Sequence, residues 1–257
     1  MTRVAVTGAT GRMGGEVIGA AESRPDVEVV AAVSRSGSTE ASGFAVADAA
    51  DLPAVLADRD PAVLVDFTAP SATVEYASAA AEAGVPVVVG TTGFDDDHLA
   101  ALRAAAESVP VLLASNFARG VAALRAVVRA AVSRLPEYDV EVTETHHRGK
   151  RDAPSGTARS LLEEVVDAGG PGERVHGREG DQPRAADEVG VHARRAGQVT
   201  GEHEVLIAGN RETLSLTHRA GNRGVFAEGA LDAAVWLAGR EPGWYSFEDV
   251  VAGGETA

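Results

Sequence analysis

The stretch that decides the fold is residues 3–14, RVAVTGATGRMG, close to the start of the chain. An apolar, strand-like run at 3–7 is followed at once by Gly8, Gly11 and Gly14, and then by a helix-like segment. The first glycine permits a tight turn, and the second admits a pyrophosphate close to the backbone. Free N–H groups at the start of the helix attract an anion. This context predicts a dinucleotide site; the alternative is a purely structural turn.

Downstream of this turn, continuous apolar runs alternate with helix-like segments. The runs span residues 27–33, 63–67, 85–90 and 111–114. Between them we expect a short helix near 51–58, a helix capped by Ser71 and a helix capped by Asp95. Apolar strands that alternate with helices indicate a parallel sheet covered on both faces. The first part of the chain is therefore predicted to be α/β, a Rossmann-type doubly wound parallel sheet.

The pattern changes in the second part of the chain. Residues 139–145, 189–193 and 212–217 alternate apolar and polar side chains, which predicts a second α+β domain with a mixed sheet. We place a dinucleotide-binding domain at 1–117, with 225–257 packing back on it. A substrate-binding and oligomerisation domain occupies 118–224. The Gly- and Pro-rich stretch between Ala168 and Asp187 predicts a mobile loop.

The end of the second strand bears on the choice of cofactor. Many dinucleotide folds hold an acidic residue there for the adenosine ribose, but this chain has Ser34, Arg35 and Ser36. A guanidinium and hydroxyls suit a 2′-phosphate better than a free diol. We therefore expect NADPH as the preferred cofactor and NADH as a second one. The alternative is that Arg35 is an ordinary exposed arginine.

Composition and charge narrow the function classes. A net charge of −15 argues against general nucleic-acid binding, and the absence of cysteine excludes a disulfide scaffold and a thiolate zinc site. No apolar run approaches the roughly 18 residues of a membrane span, and no secretory signal is visible, so a cytoplasmic location is expected. Lys150 is the only lysine among 23 basic side chains. This acidic, lysine-poor composition predicts a salt-adapted protein, with an ordinary acidic mesophile as the alternative.

The densest chemical signal is residues 144–158, ETHHRGKRDAPSGTA. It concentrates cationic side chains in an acidic protein, which points to an anionic substrate. His146 and His147 add two imidazoles, a group suited to acid/base chemistry, and the retained ammonium of Lys150 suggests a proton-transfer task that guanidinium cannot perform. Ser155 marks a helix start, where the N–H groups of the next two residues would cradle a carboxylate. A metal site at the two histidines with the preceding glutamate, or a solvated charged loop, are the alternatives.

With these residues in view, the sequence resembles the 4-hydroxy-tetrahydrodipicolinate reductase (dihydrodipicolinate reductase) family. The segments that carry the resemblance occur in family order along the chain. They are VAVTGATGRMG at 4–14, VDFTAP at 65–70, VGTTGF at 89–94, SNFARG at 115–120, ETHHRGKRDAPSGTA at 144–158, GQVTGEH at 197–203 and LTHRA at 216–220.

The resemblance implies hydride transfer from a nicotinamide cofactor to C4 of a cyclic, unsaturated dicarboxylate, in the diaminopimelate route to lysine. By that match His146 is the acid/base residue and Lys150 the proton donor, while His147, Gly156 and Thr157 hold a substrate carboxylate. The cofactor would be lined by Gly8, Ala9, Thr10, Gly11, Arg12, Met13, Gly90, Thr91, Thr92, Ala114, Ser115, Asn116 and Phe117, with Ser34 and Arg35 near its adenosine ribose. Members of the family are homotetramers built through the sheet of the second domain, and no metal, nucleic acid or membrane is implied.

Two other functions remain open from the sequence. One is an NADP-dependent dehydrogenase of another dicarboxylic or amino acid, in which the 144–158 motif would bind a different anion. The other is a non-catalytic protein that senses a nicotinamide cofactor. The second would bind cofactor without turnover, and the intact pair of His146 and Lys150 argues against it.

Overall fold

The computed structural model describes residues 1–35 and 40–253 of the chain. The strands are β1 Thr2–Thr7, β2 Val27–Ser34, β3 Glu40–Ala41, β4 Phe44–Asp48, β5 Val63–Asp66, β6 Val87–Val89, β7 Pro110–Leu113, β8 Asp139–His146, β9 Glu173–His176, β10 Glu188–Arg195, β11 Glu202–Ala208, β12 Thr213–Arg219 and β13 Gly243–Tyr245. The helices are α1 Arg12–Ala21, α2 Leu52–Arg59, α3 Pro70–Glu82, α4 Asp96–Ala106, α5 Arg119–Val132, α6 Gly156–Asp167, α7 Gly224–Leu237 and α8 Phe247–Ala252, with a 3-10 turn at Ala49–Asp51.

The chain divides into two compact units. The first contains Met1–Ala118 and the residues from Arg223 onward, and the second contains Arg119–Asn222. No helix among the described residues is long and apolar enough to cross a membrane.

The first unit is built on an eight-stranded sheet in the order β13-β7-β6-β5-β1-β2-β4-β3. All its pairings are parallel except that of β3 with β4. The central strands are buried along their whole length, as in Val63–Asp66 and Val87–Val89, because helices cover both faces. This confirms the prediction of a doubly wound sheet, and it brings the carboxyl ends of β1, β5 and β6 together at one edge.

The second unit carries a five-stranded mixed sheet in the order β12-β11-β8-β10-β9. Strand β8 pairs parallel with β10 and antiparallel with β11. One face packs on α5 and α6 through a cluster that includes Val140, Val142, Leu161 and Val205. The alternation seen in the sequence therefore reflects one face buried under helices and one that is not, and the predicted mixed sheet is confirmed.

Three local expectations need correction. Ser71 does not cap α3: the helix begins at Pro70 after Ala69, with no side-chain cap, because proline at the first position already lacks an N–H to satisfy. The stretch between Ala168 and Asp187 contains β9, an edge strand parallel to β10. Strand β11 was not anticipated, because its inward positions include a histidine and its outward positions include a leucine, which obscures the alternation. Asp95 does cap α4, accepting from the N–H of His98.

Candidate functional site

The glycine turn after β1 is shaped by close backbone contacts. Gly8 adopts φ +69°, a conformation that favours glycine. A Cβ on Gly14 would lie 2.1 Å from the carbonyl oxygen of Gly8, so only glycine lets α1 start this close to the turn. Helix α1 begins after Gly11 without a side-chain cap and without an acidic residue in its first turn. The turn therefore fits the phosphates of a dinucleotide, which would meet backbone N–H groups and the positive end of the helix.

At the end of β5, a buried carboxylate joins several segments of this edge. Asp66 is fully buried and accepts hydrogen bonds from four threonine hydroxyls. The donors are Thr7 at 2.6 Å, Thr68 at 2.7 Å, Thr73 at 2.5 Å and Thr91 at 2.8 Å. Because these residues come from β1, from the loop after β5, from α3 and from the loop after β6, one carboxylate holds the rim of the predicted cofactor site. The VDFTAP segment marks this position in the sequence, but no pattern there predicts the role of Asp66.

Aromatic packing sets the position of the loops beyond β6 and β7. A Cβ on Gly90 would lie 2.0 Å from the Phe67 ring, so this glycine leaves room for the ring. Phe67 meets Phe117 edge to face, with ring centroids 5.7 Å apart, and Phe117 meets Phe247 in the same way at 5.3 Å. The side chain of Phe117 is only 2% exposed. It is a core residue, so any contact it makes with a cofactor would be through its backbone.

The other residues predicted to contact the cofactor lie on the same unit. Thr10, Gly11, Arg12, Thr92 and Ser115 are exposed, and Gly8, Met13, Gly90, Ala114 and Asn116 are half-buried, whereas Ala9 and Thr91 are buried. At the end of β2, Ser34 is buried with its hydroxyl 2.7 Å from that of Thr10, and Arg35 is exposed. Ser36 lies outside the described residues.

In the second unit, β8 ends in a buried polar cluster around Glu144. This carboxylate is 1% exposed. Its Oε2 lies 2.5 Å from Nδ1 of His146, and its two oxygens accept from the two Nη atoms of Arg195, each at 2.8 Å. Its Oε1 also accepts from the backbone N–H of Ser155 at 3.1 Å. From the sequence, Glu144 is predicted only as part of an alternative metal site, and Arg195 is not predicted to belong to the site.

The burial and contacts of this cluster shift the pKa values of both Glu144 and His146. Burial alone would raise the pKa of Glu144, but the hydrogen bonds from Arg195 and His146 outweigh it and hold the pKa below its usual range. Burial is also the main influence on His146 and lowers its pKa, an effect that the bond to Glu144 opposes without reversing. The pair therefore consists of an ionised carboxylate and a neutral imidazole at neutral pH. Among the described residues, no three His, Asp or Glu side chains are grouped to hold a metal ion.

A second buried histidine packs beside His146. The rings of His146 and His203 meet edge to face at 5.1 Å, and His203 is 3% exposed. Its Nε2 lies 3.0 Å from the hydroxyl of Ser155, which caps α6 by accepting from the N–H of Ala158. Burial lowers the pKa of His203 to about 3. No role is predicted for His203 from the sequence, although its place in the GQVTGEH segment is a signal that points to it.

The single lysine lies on the loop between β8 and α6. The ammonium of Lys150 is 2.9 Å from a carboxylate oxygen of Asp152, and its backbone N–H donates to the carbonyl of His147. Burial would raise the pKa of Asp152, but its hydrogen bond and charge interaction with Lys150 lower it. Gly156 and Thr157 form the first turn of α6, and Thr157 is buried. The structure thus brings the predicted catalytic and substrate-binding residues together on one unit.

Comparison with known proteins gives the same family for both parts of the chain. Residues 2–117 match the family model described as dihydrodipicolinate reductase, N-terminus, and residues 120–251 match that of its C-terminus. A 4-hydroxy-tetrahydrodipicolinate reductase of Natronomonas pharaonis is 57% identical, covering 96% of this chain and 99% of the relative. One of Haloarcula marismortui is 53% identical, covering 98% and 99%.

Solved structures agree. Dipicolinate-bound dihydrodipicolinate reductase from Paenisporosarcina sp. TG-14 superposes with a TM-score of 0.79 at 25% identity, covering 97% of this chain and 99% of that one. A diaminopimelate (DAP) dehydrogenase of C. glutamicum reaches 0.60 at 17% identity, covering 97% and 95%, and shares the fold. The resemblance stated from the sequence is confirmed. The chain belongs to the dihydrodipicolinate reductase family.

Proposed function

We propose that the protein reduces 4-hydroxy-tetrahydrodipicolinate to tetrahydrodipicolinate by hydride transfer from NAD(P)H, in the diaminopimelate route to lysine. The observation that carries the proposal is the cluster on residues 144–158. There a neutral, carboxylate-bound His146, the only lysine of the chain and the start of α6 lie on one unit. The family match over both parts of the chain supports the same reaction.

The substrate side of this proposal uses charge and helix geometry. His147, Gly156 and Thr157 hold one carboxylate of a small dicarboxylate, the last two at the positive end of α6. Ser155 supports this turn, since its hydroxyl caps the helix at Ala158. The net reaction removes the 4-hydroxyl group of the substrate as water and adds a hydride at C4 and a proton to the ring. Lys150 supplies the proton from Nζ, and His146 serves as the acid/base residue.

The cofactor side uses the first unit, where the glycine turn and the uncapped start of α1 suit a pyrophosphate. When bound, the cofactor supplies the hydride. Gly8 to Met13, Gly90 to Thr92 and Ala114 to Phe117 line it in this proposal. NADPH is preferred over NADH, because the exposed guanidinium of Arg35 at the end of β2 is suited to a 2′-phosphate.

The sheet of the second unit also has an uncovered face that could join copies of the chain. We infer a homotetramer built through the face of the five-stranded sheet opposite α5 and α6. That face is half-buried and polar, with Glu141, Thr143, Glu204 and Leu206 among its residues.

A cytoplasmic location stays a prediction. So does salt adaptation, which the net charge of −15 supports, since molar salt shortens the Debye length to about 3 Å and screens self-repulsion.

The direct test is oxidation of NADPH and NADH by the purified protein in molar KCl. The substrate is generated in place from pyruvate and aspartate semialdehyde by the preceding synthase, and omission of the synthase is the control. We expect substrate-dependent oxidation that is faster with NADPH. Replacement of Arg35 by alanine should reduce the preference for NADPH about tenfold, the loss of one charge-assisted contact. Cofactor binding without turnover would overturn the proposal and favour the sensing function.

A further inference from the structure

We infer that Glu144 and Arg195 are positioning residues for His146: Glu144 keeps its hydrogen on Nδ1, so that Nε2 is the nitrogen left to exchange a proton, and Arg195 holds the carboxylate of Glu144 in place and offsets its charge. This inference rests on the acid/base role proposed above for His146. Neither positioning residue needs to touch the substrate, because both act through the imidazole.

The hydrogen-bond donors around the carboxylate determine this tautomer. The carboxylate of Glu144 is ionised and can only accept, so the 2.5 Å contact from its Oε2 to Nδ1 of His146 requires the hydrogen on Nδ1. Arg195 donates to both carboxylate oxygens, and Ser155 donates its backbone N–H to Oε1. A carboxylate bound by a two-pronged guanidinium and a backbone N–H cannot rotate away from the imidazole without losing these bonds.

Burial and the charged groups around His146 together keep the ring neutral. Lys150 on the following loop and Arg195 on β10 oppose its protonation, whereas Glu144 on β8 favours it. His203 on β11 packs against the ring and is neutral. Burial, the largest influence, lowers the pKa of His146. A neutral imidazole with Nδ1 already bound has Nε2 as its remaining acceptor.

The backbone beside Nε2 is consistent with this assignment. A Cβ on Gly201 would lie 3.1 Å from Nε2 and 3.4 Å from Cδ2 of His146. These distances are tighter than ordinary contacts, so glycine at this position keeps side-chain atoms away from the nitrogen that is left to act. The GQVTGEH segment therefore places both Gly201 and His203 against the same ring.

Arg195 has a second part in the arrangement. Burial is the largest influence against protonation of His146, and the guanidinium of Arg195 adds to it by offsetting the charge of Glu144. The guanidinium also donates to the carbonyl of Asp152 at 2.6 Å, which ties β10 to the loop that carries Lys150. One arginine thus links the strand that bears the imidazole to the loop that bears the ammonium.

Replacement of Glu144 by glutamine tests the inference, because the surrounding donors dictate how the amide must lie. Two groups that can only donate stand near Oε1, the N–H of Ser155 and one Nη of Arg195, whereas Oε2 faces only one such group, the other Nη of Arg195, beside the imidazole. The amide oxygen is therefore expected at that side, and the NH2 group faces Nδ1 of His146. Nδ1 must then accept, and the hydrogen moves to Nε2. The variant should hold the opposite tautomer from the wild type.

The readout is the tautomer of His146, measured by 15N NMR of the imidazole nitrogens in the full-length protein. We expect an Nδ1–H tautomer in the wild type and an Nε2–H tautomer in Glu144→Gln. Turnover should fall about 100-fold or more while the dissociation constant of NADPH stays within twofold, as for a base held in the wrong tautomer. The matched control is Glu141→Gln on the same strand, where Glu141 pairs with His192 at 2.7 Å instead. This control should leave the His146 signals unchanged.

A second variant keeps the inference testable if Glu144→Gln does not fold. In Arg195→Met the tautomer of His146 should remain Nδ1–H, while its NMR titration moves to higher pH because the charge of Glu144 is no longer shared. An Nε2–H tautomer in the wild type, or an unchanged titration in Arg195→Met, would overturn the inference. These signals do not depend on turnover. A wild type with the expected tautomer but no reductase activity would instead refute the proposed function alone.

Discussion

Two buried carboxylates, one in each unit, accept the same number of hydrogen bonds from very different donors. Asp66 accepts from four neutral hydroxyls, which are rotors that can either donate or accept. Glu144 accepts from a guanidinium, an imidazole and a backbone N–H. The first arrangement holds loops in place, and none of its donors is a titratable group. The second is coupled to a titratable ring, which is what acid/base chemistry requires.

The largest expected effect lies in the second unit. Lys150→Ala should lower turnover by about 100- to 10,000-fold, because the proton donor acts in the transition state. The dissociation constant of NADPH, measured by fluorescence titration, should stay within about twofold, because the cofactor residues lie in the first unit. Lys150→Arg is the matched control for charge, and it should be nearly as slow, since guanidinium does not release its proton. Wild-type turnover in Lys150→Ala would show that this role is wrong.

A change in the glycine turn should weaken NADPH binding, which the change at Lys150 should leave almost unaltered. In Gly14→Ala the new Cβ would lie 2.1 Å from the carbonyl oxygen of Gly8, so the start of α1 must move. We expect a loss of about 1–3 kcal/mol of stability and NADPH binding at least about tenfold weaker. Gly15→Ala is the control: among the described residues its Cβ would have only Ser42 nearby, at 3.9 Å, and it should be neutral or slightly stabilising. Equal NADPH binding by the two variants would contradict this account of the turn.

The comparison of the carboxylates can be sharpened by the same chemical change at both. In Asp66→Asn the threonine hydroxyls can turn to accept from the new NH2 group, so the expected cost is about 1 kcal/mol. In Glu144→Gln the guanidinium and the backbone N–H cannot turn, and the expected cost is about 2–3 kcal/mol. Thermal unfolding midpoints in molar KCl provide the measurement. If Asp66→Asn loses more stability than Glu144→Gln, then the threonine hydroxyls around Asp66 do not turn to accept from the amide.

A dependence of stability on pH is also expected in the second unit. Burial lowers the pKa of His203 from its ordinary 6.5 to about 3, so between these values the unfolded chain binds a proton that the folded protein does not. Stability is full above pH 6.5 and falls as the pH is lowered, by at most about 1.4 kcal/mol per pH unit from this group. His203→Gln should flatten the dependence of the unfolding midpoint between pH 6.5 and pH 4. His176→Gln, at an exposed position of β9, should keep the wild-type slope.

Much of the first unit follows from local pattern. Continuous apolar runs such as Val63–Asp66 predict strands buried on both faces, and the glycines after β1 predict the turn, because both depend on neighbours along the chain. Strand β11 escaped prediction because its inward histidine reads as polar, although it lies buried against another ring. The Ser71 cap was wrong because proline at the preceding position starts the helix instead.

By itself, the sequence determined the two fold classes, the glycine turn and the cluster of reactive residues at 144–158, since each is written in a contiguous stretch. Only the tertiary structure decided which groups act on those residues. Arg195 lies 51 positions from Glu144, and the pairing of β8 with β10 brings them together. The pairing of β8 with β11 places His203 opposite Glu144 and beside the ring of His146. The physical reason is that hydrogen bonding and burial depend on distance in space, and sheet register converts remote positions into neighbours.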